Sequence, residues 1–198
     1  MIIVGLTGSI GSGKSFIANF LKLKRIPIYY ADKEANKILI NDNAVKKKIA
    51  NLFPEVYINK KINKTKLGSL VFKDKRKLKK LENIIHPKVG QAKRKFLSFH
   101  RKKKARLVIL EIPILFETNG HKGCDFTILV FVNKKKHLKR VLSRGNMDKK
   151  KLEEILSNQM PLEEKKKKAD FIINNSYGKK ETIEKVEKII KQILSTSL

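Results

Sequence analysis

Cysteine is almost absent from this 198-residue chain: Cys124 has no second thiol to pair with, so no intramolecular disulfide forms and a reducing compartment is expected. Tryptophan is missing altogether. The four Tyr and ten Phe lie mostly inside apolar segments, which counts against a nucleic-acid module that stacks bases on exposed rings. No apolar run approaches the ~20 residues that cross a bilayer. Met1 leads into a short apolar segment and then glycines, without the basic stretch and long apolar run of a secretory leader. A soluble, cytoplasmic protein with no membrane partner is therefore expected. Acidic residues are scarce too, 18 Asp and Glu against 47 Lys and Arg, a net charge of +29. Such a field attracts nucleic acid, anionic membranes or phosphorylated small molecules. The excess is nearly all lysine, scattered as Lys46–Lys48, Lys102–Lys104, Lys134–Lys136 and Lys165–Lys168, as expected of compositional drift on solvated faces. Nucleic acid is not expected to be a required partner.

What is present is an ordered series of apolar strands and amphipathic stretches, and with 41% hydrophobic residues the chain is long enough for one well-buried core. Ile2–Leu6 is a short apolar run ending in glycines. Phe16, Ile17, Phe20, Leu21 and Leu23 then recur at helical spacing, and Ile26–Tyr30 supplies a second strand with Pro27 near its start. Strand, loop, helix and strand make a βαβ unit, whose usual home is a parallel sheet. From Asp32 to Lys104 the apolar spacing is helical throughout. Strands are expected again at Leu107–Ile112, Phe126–Val132 and Phe171–Ile173, as near-continuous apolar runs suited to a sheet covered on both faces. Helices are expected near 135–144, 149–158 and 180–194. The fold class is α/β, a parallel sheet with a helical insertion. As one chain, its core covers about 1–31, 105–134 and 169–198, and the insertion about 32–104.

Gly8-Ser9-Ile10-Gly11-Ser12-Gly13-Lys14-Ser15 satisfies the phosphate-loop pattern G-x-x-x-x-G-K-[ST] at every fixed position, between a strand and a helix. Glycines let successive backbone N–H groups curl around phosphate oxygens, while the helix that follows turns its positive end toward them. Lys14 suits the β- and γ-phosphates, and the Ser15 hydroxyl suits Mg²⁺. A nucleoside triphosphate is expected here. A metal-supporting acid is expected on the neighbouring strand, and Glu111 is the one carboxylate in its run, although a strand-end acid can also serve only to meet solvent or a lysine. Asp32, just past the second strand, sits where open α/β sheets bind ligands and is suited to orient an acceptor hydroxyl; it equally suits the cap of a helix starting at Lys33. Arg140 and Arg144, four apart on one helix face, can fork onto phosphoryl oxygens or stand as ordinary solvated arginines. A guanine-reading N-K-x-D is missing: Asn133-Lys134-Lys135-Lys136 has lysine where the aspartate belongs.

The order GSIGSGKS, YAD (Tyr30–Asp32), HP (His86-Pro87), LEIPILFET (Leu110–Thr118), LKRVLSR (Leu138–Arg144), NQMPLEEKKKKAD (Asn158–Asp170) and INNS (Ile173–Ser176) closely resembles the dephospho-CoA kinases, over essentially the whole chain. The resemblance implies ATP-dependent phosphorylation of the ribose 3′-hydroxyl of dephospho-CoA, with a P-loop core, a helical CoA-binding domain, and a lid with its following helices over about 138–168. It implies Asp32 as base or orienting group, Lys14, Arg140 and Arg144 around the transferred phosphoryl group, and Glu111 and Ser15 beside Mg²⁺. Asn175 falls near the adenine site, and His86, Pro113, Leu115 and Glu117 in segments bordering the acceptor. Tyr30, Ser9, Phe16, Ile114 and Gly145 depart from the usual residues without removing a group that the chemistry requires. The rival readings are a P-loop kinase for another acceptor, such as a nucleoside monophosphate or shikimate, and a nucleotide-gated RNA-binding protein.

Overall fold

The computed structural model describes residues 1–59, 61–143 and 148–196. They form two compact units, one made of Met1–Tyr29 with Phe99–Leu198 and the other of Tyr30–Ser98.

The first unit is organised by a five-stranded sheet. Strand β1 (Ile2–Thr7) leads through the phosphate-loop sequence into helix α1 (Lys14–Leu23) and then to β2 (Ile28–Tyr30). After the insertion come β5 (Leu107–Glu111), β6 (Phe126–Phe131), helix α6 (Lys134–Leu142), helix α7 (Lys149–Ser157), helix α8 (Leu162–Lys168), β7 (Phe171–Asn174) and helix α9 (Lys179–Ser195). The strand order is β2-β5-β1-β6-β7, and β1 pairs in parallel with β5 (Val4 opposite Ile109) and with β6 (Leu6 opposite Ile128). β6 pairs in parallel with β7. Every residue of β5 is buried, as are Val4 to Thr7 of β1, which is why these strands are apolar on both sides rather than alternating. α9 lays Val186, Ile189, Ile190 and Ile193 inward at three- and four-residue spacing, while α1 does so with Ile17, Ala18 and Leu21. Two aspartates tie loop ends to the sheet. Asp125 Oδ2 accepts from Ile3 N at 2.7 Å, and Asp170 Oδ2 accepts from Thr127 N at 2.8 Å.

The second unit is helical except for one short hairpin. Helices α2 (Ala31–Asn41), α3 (Asn43–Leu52), α4 (Lys64–Val71) and the first part of α5 (Lys75–Lys102) surround a core of Val45, Ile49, Phe53, Val56, Leu67 and Val71. The starts of α3, α4 and α5 are fixed by short side chains that accept otherwise orphaned N–H groups: Asp42 from Val45, Asn63 from Lys66 and Asp74 from Arg76. β3 (Tyr57–Ile58) and β4 (Lys61–Ile62) form the antiparallel hairpin, which the helical reading of this segment missed. Two-residue strands are too short to show alternation. β2 is shorter than expected, starting at Ile28, because Pro27 has no N–H to give and contributes only its carbonyl, to Ile109 N at 2.9 Å. α2 starts at Ala31, with Tyr30 as its N-cap, so Asp32 lies inside the first turn and does not cap the helix. Pro87 lies within α5, which runs 28 residues despite it.

Candidate active site

The phosphate loop is shaped by three glycines with positive φ: Gly8 at 144°, Gly11 at 78° and Gly13 at 98°. The contacts at Gly8 and Gly13 are the tightest of the three. A Cβ on Gly8 would stand 2.1 Å from the carbonyl oxygen of Val130, and one on Gly13 would stand 1.9 Å from Asn175 Nδ2. A backbone carbonyl at Gly8 and the Asn175 side-chain amide at Gly13 therefore occupy the space a side chain would need, and only glycine satisfies both demands. Gly13 caps α1 in the left-handed conformation, and Ser15 follows as an exposed hydroxyl in the helix's first turn. Lys14 is buried, with its ammonium donating to Gly8 O at 2.6 Å and Ser9 O at 3.1 Å. The Ser12 hydroxyl is shut from solvent and makes no hydrogen bond.

Support for this loop comes from the far end of the chain. Asn175, at the end of β7, donates through Nδ2 to Ser12 O at 2.8 Å, and its Oδ1 accepts from Thr182 at 3.0 Å on α9. Asn175 is buried with both ends of its amide engaged, so its contact with the loop is through Ser12. α6 supplies the other wall. Its N-terminus is capped by Asn133, whose own N–H donates to Ser176 Oγ at 2.7 Å, and Lys136 Nζ donates to the Ser176 carbonyl. Arg140 Nη1 lies 3.9 Å from the position a Gly13 Cβ would take, which puts Arg140 against the loop. Arg144 lies outside the described residues. His137, on the same helix as Arg140, donates from Nε2 to the Ile10 carbonyl, since that oxygen can only accept. Nothing in the sequence marks His137: it is a lone histidine in a lysine-rich helix, with no spacing to read.

Glu111 ends β5 as a buried carboxylate, directly opposite Leu6 on β1 and so one strand away from the start of the loop. Beyond it, Pro113 offers its carbonyl to Thr7 Oγ1 at 3.0 Å and to Lys165 Nζ at 3.4 Å. Glu117 Oε1 is 2.7 Å from Lys165 Nζ and accepts from Met160 N at 2.9 Å. The Asn158–Asp170 stretch is thereby locked onto the Pro113–Glu117 turn. Leu115 is fully buried; a Cβ on Gly5 would stand 2.6 Å from its Cδ2, so this leucine packs beneath the sheet's central strand. Lys165 was hidden in the sequence as one of four consecutive lysines. In the helical unit, Asp32 is exposed in the first turn of α2, while His86 is exposed midway along α5. Among the described residues, no group of three or more His, Cys, Asp and Glu could hold a metal ion, and no helix is long and apolar enough to cross a membrane.

A glycine loop between β1 and α1 at the centre of a parallel sheet, walled by an arginine-bearing helix, defines a P-loop kinase fold. The model of the dephospho-CoA kinase family matches residues 2–181. The dephospho-CoA kinase of Bradyrhizobium diazoefficiens is 36% identical over 194 residues, which cover 98% of this chain and 96% of that one. Among solved structures, a Thermus thermophilus protein superposes with a TM-score of 0.86 at 34% identity, over 98% of this chain and 97% of that one. The dephospho-CoA kinase of Campylobacter jejuni does so with a TM-score of 0.70 at 30% identity, over 99% and 98%. The chain belongs to the dephospho-CoA kinase family.

Proposed function

We propose that this chain transfers the γ-phosphoryl group of ATP to the ribose 3′-hydroxyl of dephospho-CoA, giving CoA and ADP, the last step of CoA synthesis. The observation that carries the reading is the phosphate loop with Lys14 inside it and Arg140 against it, in a chain whose residues 2–181 match the family model. The Gly8–Ser15 backbone cradles the phosphates, and a phosphate oxygen there offers the Ser12 hydroxyl the partner it lacks within the protein. Asp32 orients the acceptor hydroxyl and takes its proton as that oxygen bonds to the γ-phosphorus. The bond from the γ-phosphorus to the β,γ-bridging oxygen breaks, and ADP carries away the electron pair. Lys14 and Arg140 neutralise the charge on the transferred oxygens, joined by Arg144 on its arginine spacing.

Glu111 and Ser15 form a hard-oxygen pair suited to Mg²⁺, an ion usually held by one or two protein oxygens together with substrate phosphates. Held there, the ion would supply positive charge to offset that of the phosphates during transfer. His86, Pro113, Leu115 and Glu117 belong to the acceptor side, with Leu115 and Glu117 acting from beneath by fixing the turn that Pro113 begins. The segment 138–168 comprises the lid, which keeps water from the phosphoryl group, and the helices that follow it. The reaction runs in the cytoplasm, in keeping with a chain whose one cysteine cannot form an intramolecular disulfide.

Release of ADP, measured with dephospho-CoA, AMP, shikimate or RNA as the added acceptor, tests the reading. Strong stimulation by dephospho-CoA alone is expected. Stimulation by AMP or shikimate transfers the fold to another acceptor, and stimulation only by RNA overturns the kinase reading.

A further inference from the structure

We infer that His137 is a positioning residue that fixes the orientation of the phosphate loop and ties it to the helix carrying Arg140. This rests on the reading of Gly8–Ser15 as the ATP loop. The Ile10 carbonyl and the Gly11 N–H belong to one peptide plane. In a trans peptide they point in opposite directions, and no cis peptide occurs among the described residues. His137 holds the carbonyl toward α6, so the Gly11 N–H is turned to the opposite side of that plane. Gly11 has φ 78°, the kind of residue whose flanking peptides turn over at little cost unless something holds them.

Packing adds to the hydrogen bond. A Cβ on Gly11 would stand 2.5 Å from Val141 Cγ2 and 3.4 Å from His137 Cδ2, so α6 lies directly on the loop at this glycine. Arg140 is three residues beyond His137 on the same helix and reaches the loop at Gly13. The two contacts therefore clamp α6 to the loop at both Ile10 and Gly13. At the helix N-terminus, Asn133 and Lys136 are anchored to Ser176. Within this frame His137 is the side chain that engages the loop backbone at Ile10.

The test compares His137→Leu, His137→Gln and His137→Asn with the wild-type protein. Affinity for a fluorescent ATP analogue is measured without acceptor, KM for ATP and for dephospho-CoA with it, and the melting temperature for each variant. Leu fills the space without a donor and is expected to weaken analogue binding and raise KM for ATP about 3–10-fold, the worth of one ordinary hydrogen bond, with KM for dephospho-CoA unchanged. Gln carries an N–H that reaches the same carbonyl and is expected to restore wild-type values; Asn, one methylene shorter, is not. If Leu fails to fold, the Gln and Asn pair decides alone, since they share chemistry and differ in reach. Wild-type ATP affinity in Leu or Asn, or no rescue by Gln, overturns the inference. A wild-type protein that binds the analogue but ignores dephospho-CoA overturns the proposed acceptor and leaves the His137 comparison to be read from binding.

Discussion

Lys165 is fully buried, and its ammonium stands 2.7 Å from Glu117 Oε1. The pair joins α8 to the turn after β5, and Lys165 also donates to Pro113 O while Glu117 accepts from Met160 N. Taking either partner away leaves a charge in a site built for two, which typically costs about 3–5 kcal/mol, whereas replacing both by apolar residues is often near neutral. Lys165→Met and Glu117→Leu are each expected to be strongly destabilising. The double variant should recover most of the loss, short of about 1–3 kcal/mol for the Met160 N–H left without its acceptor. Urea unfolding of the four proteins measures the coupling; additive losses would show that the two side chains do not act as a pair.

Lys14 and Gly13 separate charge from shape at the phosphate loop. Lys14→Ala is expected to lower kcat by about 10²–10³-fold, the usual cost of removing one charge-stabilising donor. Gly13→Ala puts a methyl group 1.9 Å from the Asn175 amide at φ 98° and is expected to abolish ATP binding altogether. Calorimetric titration with ATP distinguishes the two, since Lys14→Ala should keep measurable affinity. Normal binding by Gly13→Ala would contradict the packing around Asn175.

Asp32→Asn keeps the size and position of the side chain in the first turn of α2 and removes its capacity to take a proton. Turnover is expected to fall about 10²–10⁴-fold, with unchanged affinity for ATP. Near-normal turnover from folded protein would remove Asp32 from its proposed role.

Asp42 carries a pH prediction for the helical unit. The hydrogen bond from Lys88, followed by that from the Val45 N–H, holds its carboxyl below the ordinary 3.8. A depressed folded-state value means that its contribution to stability is present above pH 3.8 and is lost as the pH falls through the lowered value. Asp42→Ala is therefore expected to be less stable than wild type at pH 5–7, with the gap narrowing in more acidic solution. Thermal melts of both proteins from pH 7 down to below 3.8 check the sign, and a gap that widens in acid would contradict it.

The strands and the phosphate loop were legible because their signals are local. Leu107–Glu111 is apolar at every position but the last, and Gly8–Ser15 has a fixed spacing that its backbone geometry requires. The helical character of Asp32–Lys104 was legible from periodicity, but the hairpin at Tyr57–Ile62 was not, because pairing over two residues leaves no pattern. Asp32 was read as just ahead of its helix and lies within it, a shift of the kind expected where a strand passes straight into a helix. The supports of the site were the least legible. Lys165 and Glu117 are 48 positions apart, and His137 and Ile10 are 127 apart, so only the fold brings them together. A lysine among lysines and a lone histidine carry no spacing that distinguishes them from solvated neighbours.

The identity of the acceptor atom can be read from the product. Incubating the protein with ATP, Mg²⁺ and dephospho-CoA, counting CoA against ADP and locating the new phosphate by ³¹P NMR tests it most directly. One CoA for each ADP is expected, with the phosphate on the ribose 3′-oxygen. ADP formed without CoA, or a phosphate placed elsewhere on the acceptor, would contradict it.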